Sequence, residues 1–225
     1  MNFCEALDVR PGVTAIIGSG GKTSLLRRLA EEVPGTVILC TTTHIRPFSE
    51  YPLLESPSYL NIRQALHAYR VVCAGAWTRD GKLTAPELPV EVLAELADYV
   101  LVEADGSRRL PLKAHASHEP VIPSASRRVI CVAGASGFGR PIVEVVHRPE
   151  RFIDLTGARE TDIATPDLAA KALLAESLCD TVFLNQVDDI RQRPAAERFA
   201  GALAGHGLRV WYGSLCSDCI FAPHD

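Results

Sequence analysis

The sequence predicts an α/β protein with a doubly wound, mostly parallel sheet in a single domain spanning 1–225, with a short C-terminal tail from about residue 214 to 225. Three observations carry that expectation. Short β-branched runs alternate with helix-length amphipathic segments. The runs are continuously apolar rather than alternating, as in strands covered on both faces. No internal repeat interrupts the chain, and no Gly/Ser/Pro stretch is long enough to serve as a domain linker.

The predicted strands lie at 13–18, 36–41, 70–76, 99–103, 129–133, 181–184 and 208–212. The first predicted helix, 22–33, places Leu25, Leu26, Leu29, Ala30 and Val33 on one stripe and stops at Pro34-Gly35. A second, 89–97, groups Val92, Leu93, Leu96 and Ala97. Helix 166–178 follows Thr165, an N-cap residue with proline at the first helical position, and 194–204 also opens on proline. The segment 77–82 reads as a hairpin excursion turning at Asp80-Gly81. In such sheets ligands bind at the carboxyl ends of the strands.

Composition narrows the functions. The chain has 47% hydrophobic and 22% charged residues, a globular profile. A net charge of −4 supplies no basic field for nucleic acid. The first ten residues do not form a secretory signal, and no apolar run approaches the roughly 20 residues of a membrane span. A cytoplasmic location with reduced cysteines is therefore expected, Cys40, Cys73 and Cys131 sitting in strand-like runs as small hydrophobes.

The first strand runs into Gly18-Ser19-Gly20-Gly21-Lys22-Thr23-Ser24 and then a helix. Glycines let successive N–H groups turn inward on a phosphate, and the helix N-terminus adds partial positive charge. Lys22 is placed to reach β- and γ-phosphates, and the Thr23 hydroxyl to ligate Mg²⁺. Ile16 stands where the longer phosphate-loop pattern has its first glycine, so this is a shortened variant, of the kind found in Mur-type ligases and some metal-centre maturation proteins. The competing reading is a glycine turn opening an ordinary helix.

Strand 99–103 ends in Glu103-Ala104-Asp105-Gly106-Ser107, where an α/β nucleotide-binding protein places a Mg²⁺- or water-positioning carboxylate. Spacing does not choose between Glu103 and Asp105, and Gly106 completes a Glu-x-x-Gly switch-like element. Strand 181–184 leads into Asn185-Gln186-Val187-Asp188, similar to the Asn-Lys-x-Asp element of guanine-binding proteins, with Gln186 replacing lysine. There Asp188 would accept from guanine N1–H and the exocyclic amine, favouring GTP over ATP, while Asn185 would tie this loop to the phosphate loop. Thr43 and His44, after the second strand, could add a hydroxyl to Mg²⁺ or a mobile switch. Arg108, Lys113, His115, His118 and Glu119 follow the acidic turn, and nearby prolines argue against helical metal spacing of the two histidines. A phosphate or substrate site and a solvated loop both remain open there.

These motifs together resemble those of the selenium-dependent hydroxylase accessory proteins, the YqeC family. The residues are Gly18 to Ser24, Thr41-Thr42-Thr43-His44-Ile45, Asp98 to Ser107, Leu110 to Ala114, His118 to Pro123, Val146-His147-Arg148 and Asn185 to Asp188, and the likeness runs from about residue 12 to 213. The resemblance implies a P-loop NTPase-like fold and a role in maturing molybdenum hydroxylases that carry labile selenium. It implies Lys22, Thr23, Glu103, Asp105, Asn185 and Asp188 as nucleotide and Mg²⁺ residues. Arg108, Lys113, His118, Glu119 and Arg148 become candidates for a second substrate. A molybdenum hydroxylase or a selenium-delivery protein becomes the expected partner.

Three functional readings compete. The first is an NTP-hydrolysing, GTP-favouring maturation factor. The second is an ATP-dependent kinase or ligase acting on a small acceptor. The third is a non-enzymatic metal or selenium carrier using Cys216 and Cys219, with His224 close behind. Two sulfurs and one imidazole fall short of a closed zinc site.

Overall fold

The computed structural model describes residues 1–223. Thirteen strands and eight α-helices are found among them. The strands are β1 (Gly12–Gly18), β2 (Val37–Thr41), β3 (His44–Ile45), β4 (Leu53–Glu55), β5 (Val71–Trp77), β6 (Leu83–Thr84), β7 (Tyr99–Glu103), β8 (Leu112–Lys113), β9 (Ser126–Gly134), β10 (Val146–His147), β11 (Thr181–Asn185), β12 (Arg209–Ser214) and β13 (Cys219–Phe221). The helices are α1 (Phe3–Ala6), α2 (Lys22–Glu32), α3 (Tyr59–Ala68), α4 (Val90–Leu96), α5 (Ile142–Val145), α6 (Pro149–Thr156), α7 (Pro166–Glu176) and α8 (Arg193–Leu203).

Eleven strands join one sheet in the order β13-β12-β11-β9-β1-β7-β2-β5-β6-β3, with β4 beside β5. The seven long strands from β12 to β5 run parallel, and β13, β6 and β3 close the edges antiparallel. All seven predicted strands are present, and the 77–82 excursion is a hairpin whose Thr78 and Lys82 exchange backbone contact. The segment beyond 214 turns back as β13 and extends the sheet.

Alternation along the strands assigns the helices to faces. Leu39, Leu101, Val132 and Phe183 pack with α1 and with Leu25, Leu26 and Leu29 of α2. Their neighbours Ile38, Val100 and Val102 pack with α3 and α4, while Ala133, Val182 and Leu184 pack with α5 to α8. The sheet is therefore wound on both sides, and burial of each Leu of α2 contributes about 1.5–3 kcal/mol. The chain runs outward from central β1 to β5, returns through β7, and then crosses β1 to build β9, β11 and β12. That reversal leaves the loop after β1 in the crevice where ligands bind such sheets.

Candidate functional site

The loop after β1 is shaped by close backbone approach. A Cβ at Gly18 (φ +90°) would lie 2.2 Å from the Val132 carbonyl oxygen, and one at Gly20 (φ +86°) 2.6 Å from the Gly134 nitrogen. Only glycine fits either position. Asn185 then fastens the loop from the end of β11, one strand beyond β9: its Nδ2 donates to Gly20 O at 2.8 Å, and its Oδ1 accepts from Leu215 N–H at 3.0 Å. Asn185 thus ties the end of β11 to the glycine loop.

Strand register brings the acid to the loop. β7 lies between β1 and β2, with Glu103 opposite both Ile16 and Thr41. Thr23, in the first turn of α2, donates its hydroxyl to Glu103 Oε2 at 3.0 Å. The buried Lys22 ammonium donates to Gly18 O at 2.7 Å and Ser107 Oγ at 3.1 Å, and it stands 3.8 Å from Glu103 Oε1. Burial pushes the Glu103 carboxyl above its ordinary range, outweighing Lys22 and Thr23.

Asp105 has quite different surroundings. It is fully buried, with Lys22 Nζ 2.9 Å from its Oδ1. Its Oδ2 accepts from Gly18 N–H at 2.8 Å and lies 2.8 Å from His115 Nε2 and 3.0 Å from Lys113 Nζ. Burial alone would raise this carboxyl, but Lys22, His115 and Lys113 outweigh it and hold the group below the usual carboxylate range. His115 in turn meets Glu176 Oε2 through Nδ1 at 2.7 Å. A ring between two acceptor-only carboxylates donates from both nitrogens and is an imidazolium. Burial opposes that charge, and the two carboxylates more than restore it, so its pKa is raised.

Several predicted substrate residues are tied up internally. Lys113 reaches Gly106 O at 2.5 Å and Glu119 Oε2 at 2.8 Å, and Arg148 Nη1 donates to the same Glu119 oxygen at 2.8 Å. Burial raises Glu119, but Arg148 and Lys113 bring it down to about 2. Thr43 is held by Thr41, its N–H 3.0 Å from Thr41 Oγ1. His118 and Ser24 are exposed and do not line the two cavities beside the loop. His44 and Arg108 line the larger of them.

That pair of cavities frames the site. One of about 240 Å³ lies over the glycines and is walled by Lys22, Thr23, Glu103, Ser107, Arg109 and Gln186. The other, about 850 Å³, shares Thr23, Glu103, Ser107 and Arg109 with it. Arg109 and Gln186 both have left-handed backbone (φ +62° and +65°), as do Asp8, Ser56, Arg148, Ser177 and Asp218 elsewhere in the chain. Gln186 Oε1 accepts from Ser136 Oγ at 2.6 Å. Asp188 accepts from the Ser214 hydroxyl, and its own N–H donates to Gln192 Oε1 at 2.7 Å, leaving the residue exposed at the strand end.

The chain matches the family described as YqeC protein over residues 14–150, more than half its length. This chain belongs to the YqeC family. An Escherichia coli (strain K12) relative, named Uncharacterized protein YqeC, is 32% identical over 227 residues, covering 92% of this chain and 88% of the relative. The family match contains the glycine loop, Glu103, Asp105 and Arg148, whereas Asn185 and Asp188 lie beyond it, within the reach of a chain-length relative.

Sequence reasoning missed His115 and Glu176 as partners, and Ser107 and Arg109 as walls. Glu176 stands 61 residues from His115 at the end of α7, so no local pattern joins them. Cys216 is exposed and Cys219 lies in β13. Among the described residues no group of three or more His, Cys, Asp and Glu could hold a metal, and His224 lies outside them. No helix among these residues is long and apolar enough to cross a membrane.

Proposed function

We propose that this protein binds a nucleoside triphosphate with Mg²⁺ at the loop Gly18–Thr23 and hydrolyses it, with GTP favoured over ATP. The observation that carries this reading is the Thr23 hydroxyl 3.0 Å from Glu103 Oε2, one helical residue beyond a buried lysine. A hydroxyl and one carboxylate are hard oxygen donors of the kind Mg²⁺ takes when phosphates and water complete its shell. Such an ion supplies charge neutralisation across the β- and γ-phosphates. The raised Glu103 pKa fits the same reading, because a buried carboxylate short of positive charge is where a cation adds most.

Lys22 holds two neutral acceptors, Gly18 O and Ser107 Oγ, and one charged one, Asp105 Oδ1 at 2.9 Å. A multiply charged phosphate group offers more negative oxygen than this set, so Lys22 would turn toward it. Asp105 keeps Lys113 and His115 as it does so, and the loop remains anchored through Gly18 N–H. Support for guanine comes from Asp188, whose exposed carboxylate can accept from N1–H and the 2-amino group, whereas adenine presents an acceptor at N1. The wider role, proposed on the motif resemblance, is an accessory protein of the cytoplasm in maturing selenium-dependent molybdenum hydroxylases. Its partner would be such a hydroxylase or a selenium-delivery protein. A kinase or ligase reading is favoured by one observation, the 850 Å³ cavity opening beside Thr23 and Glu103.

The test is turnover against Mg²⁺ concentration for wild type and Glu103→Gln. The amide should lose roughly a hundredfold in Mg²⁺-supported rate, as removal of a single polar stabilising group does. An unchanged Mg²⁺ response in Glu103→Gln would overturn the assignment.

A further inference from the structure

The larger cavity is more basic than a triphosphate cradle requires. Its walls carry Arg27, Arg46, Lys82, Arg108 and Arg109 against two carboxylates, Glu103 and Glu119. Some of these cations are already neutralised: Arg27 pairs with Glu50, and Lys82 with Asp80. Glu119 is itself held by Lys113 and Arg148. Arg46, Arg108 and Arg109 remain, with no carboxylate in ion-pair range among the described residues. They come from two segments far apart in sequence, the turn after β3 and the loop after β7, and they converge because β7 and β2 are neighbours.

Direction separates this cavity from the nucleotide's own path. The predicted base-reading residues follow β11, on one side of β1, whereas Arg46 and Lys82 belong to connections around β3, β5 and β6 at the opposite edge. A nucleotide running from Lys22 to Asp188 therefore extends away from the larger cavity, leaving only its terminal phosphate near the shared wall of Thr23, Glu103 and Arg109. Burial, with Arg148, Lys113 and Arg108 nearby, lowers the His147 pKa, so this wall presents a neutral imidazole.

We infer that the 850 Å³ cavity binds a second small molecule bearing a phosphate or diphosphate group, gripped by Arg46, Arg108 and Arg109. Three unpaired guanidinium groups suit a multiply charged anion, since each planar fork can take two oxygens. A singly charged carboxylate would leave two of them unneutralised. The volume lies in the range of small-molecule sites, with room for an organic body beyond the phosphate. That this molecule sits beside a nucleotide rests on the proposed function, while its own binding does not.

The test uses inorganic pyrophosphate and calorimetry on two preparations: wild type saturated with Mg²⁺ and a non-hydrolysable GTP analogue, and Lys22→Ala without nucleotide. Pyrophosphate should bind both, and Arg46→Ala with Arg108→Ala should weaken it about a hundredfold, near tenfold for each lost charged contact. Arg46 and Arg108 are exposed, so their truncation leaves the core intact. Absence of pyrophosphate binding to saturated wild type, or equal affinity in the double variant, overturns the inference while leaving the nucleotide reading standing. Pyrophosphate binding by Lys22→Ala, in a protein whose wild type takes no nucleotide, supports the anion site and overturns the nucleotide reading alone.

Discussion

Glu103 and Asp105 lie two residues apart at the end of β7 and both approach the Lys22 ammonium, yet they differ in charge balance. Asp105 points inward and is met by Lys22, Lys113, His115 and the Gly18 N–H. Glu103 points toward the cavities, with one hydroxyl and a more distant ammonium. Their pKa values move apart accordingly, Asp105 down and Glu103 up. Buried ions must be paired to be tolerated, so the Asp105 network is a bracket that holds the loop. The underpaired acid is the one with capacity left for a cation. Two acids of similar chemistry thus divide into a supporting group and a group available to ligand.

The most severe way to break this comparison is to remove each charge in turn and follow unfolding. Asp105→Asn takes a shared buried anion from Lys22, Lys113 and His115, leaving Lys113 only Glu119 and His115 only Glu176, and should cost about 3 kcal/mol, a drop on the order of 10 °C in Tm for a chain of this size. Glu103→Gln should leave Tm unchanged or raise it slightly, because it removes a charge that burial disfavours. Equal losses in urea or thermal denaturation would erase the distinction.

A smaller effect is expected at the far end of the proposed nucleotide path. Asp188→Asn should reduce GTP affinity by about tenfold to a hundredfold with little change for ATP, the size of one charge-assisted hydrogen bond. Competition binding of the two nucleotides reads this directly, and equal or tighter ATP binding by wild type contradicts the guanine assignment.

The mildest test uses pH. His115 has an ordinary value of 6.5 and a higher one when folded, so its ion pairs add stability in full below 6.5 and lose it as pH rises through the folded value. Glu119 and Asp105 are shifted downward, so their contribution disappears only in acid, for Glu119 near pH 2. Wild-type Tm should therefore decline on the alkaline side of 6.5, and His115→Asn, which has no titrating ring, should decline less. Parallel profiles would show that the imidazolium is not part of the bracket.

The seven long strands were legible because each is a compact β-branched run, and the glycine loop because its chemistry is local. Helix α3 was not, although Ser58 and Asn61 form a capping box, because Asn at the third position lacks the usual Glu/Gln signature. The two- and three-residue strands β3, β4, β6, β8, β10 and β13 carry too few residues to show a period. Within the site, Lys22, Thr23, Glu103 and Asn185 were readable from motifs. The choice between Glu103 and Asp105 was not, since it depends on Lys113 folding back and on Glu176 arriving from α7. Arg46 and Lys82 were equally silent, because only the packing of β2, β5 and β6 carries them to the loop.

The most direct measurement is calorimetric titration of GTP in Mg²⁺ into wild type and Lys22→Ala. Truncating Lys22 removes one countercharge of Asp105 but leaves it Lys113 and His115, so the variant should fold with reduced stability and lose about 3 kcal/mol of binding, roughly a hundredfold in affinity. Mg²⁺-dependent binding by wild type with that loss in Lys22→Ala is the predicted result. Unchanged affinity in the variant would contradict the assignment of Gly18–Thr23 as a triphosphate cradle.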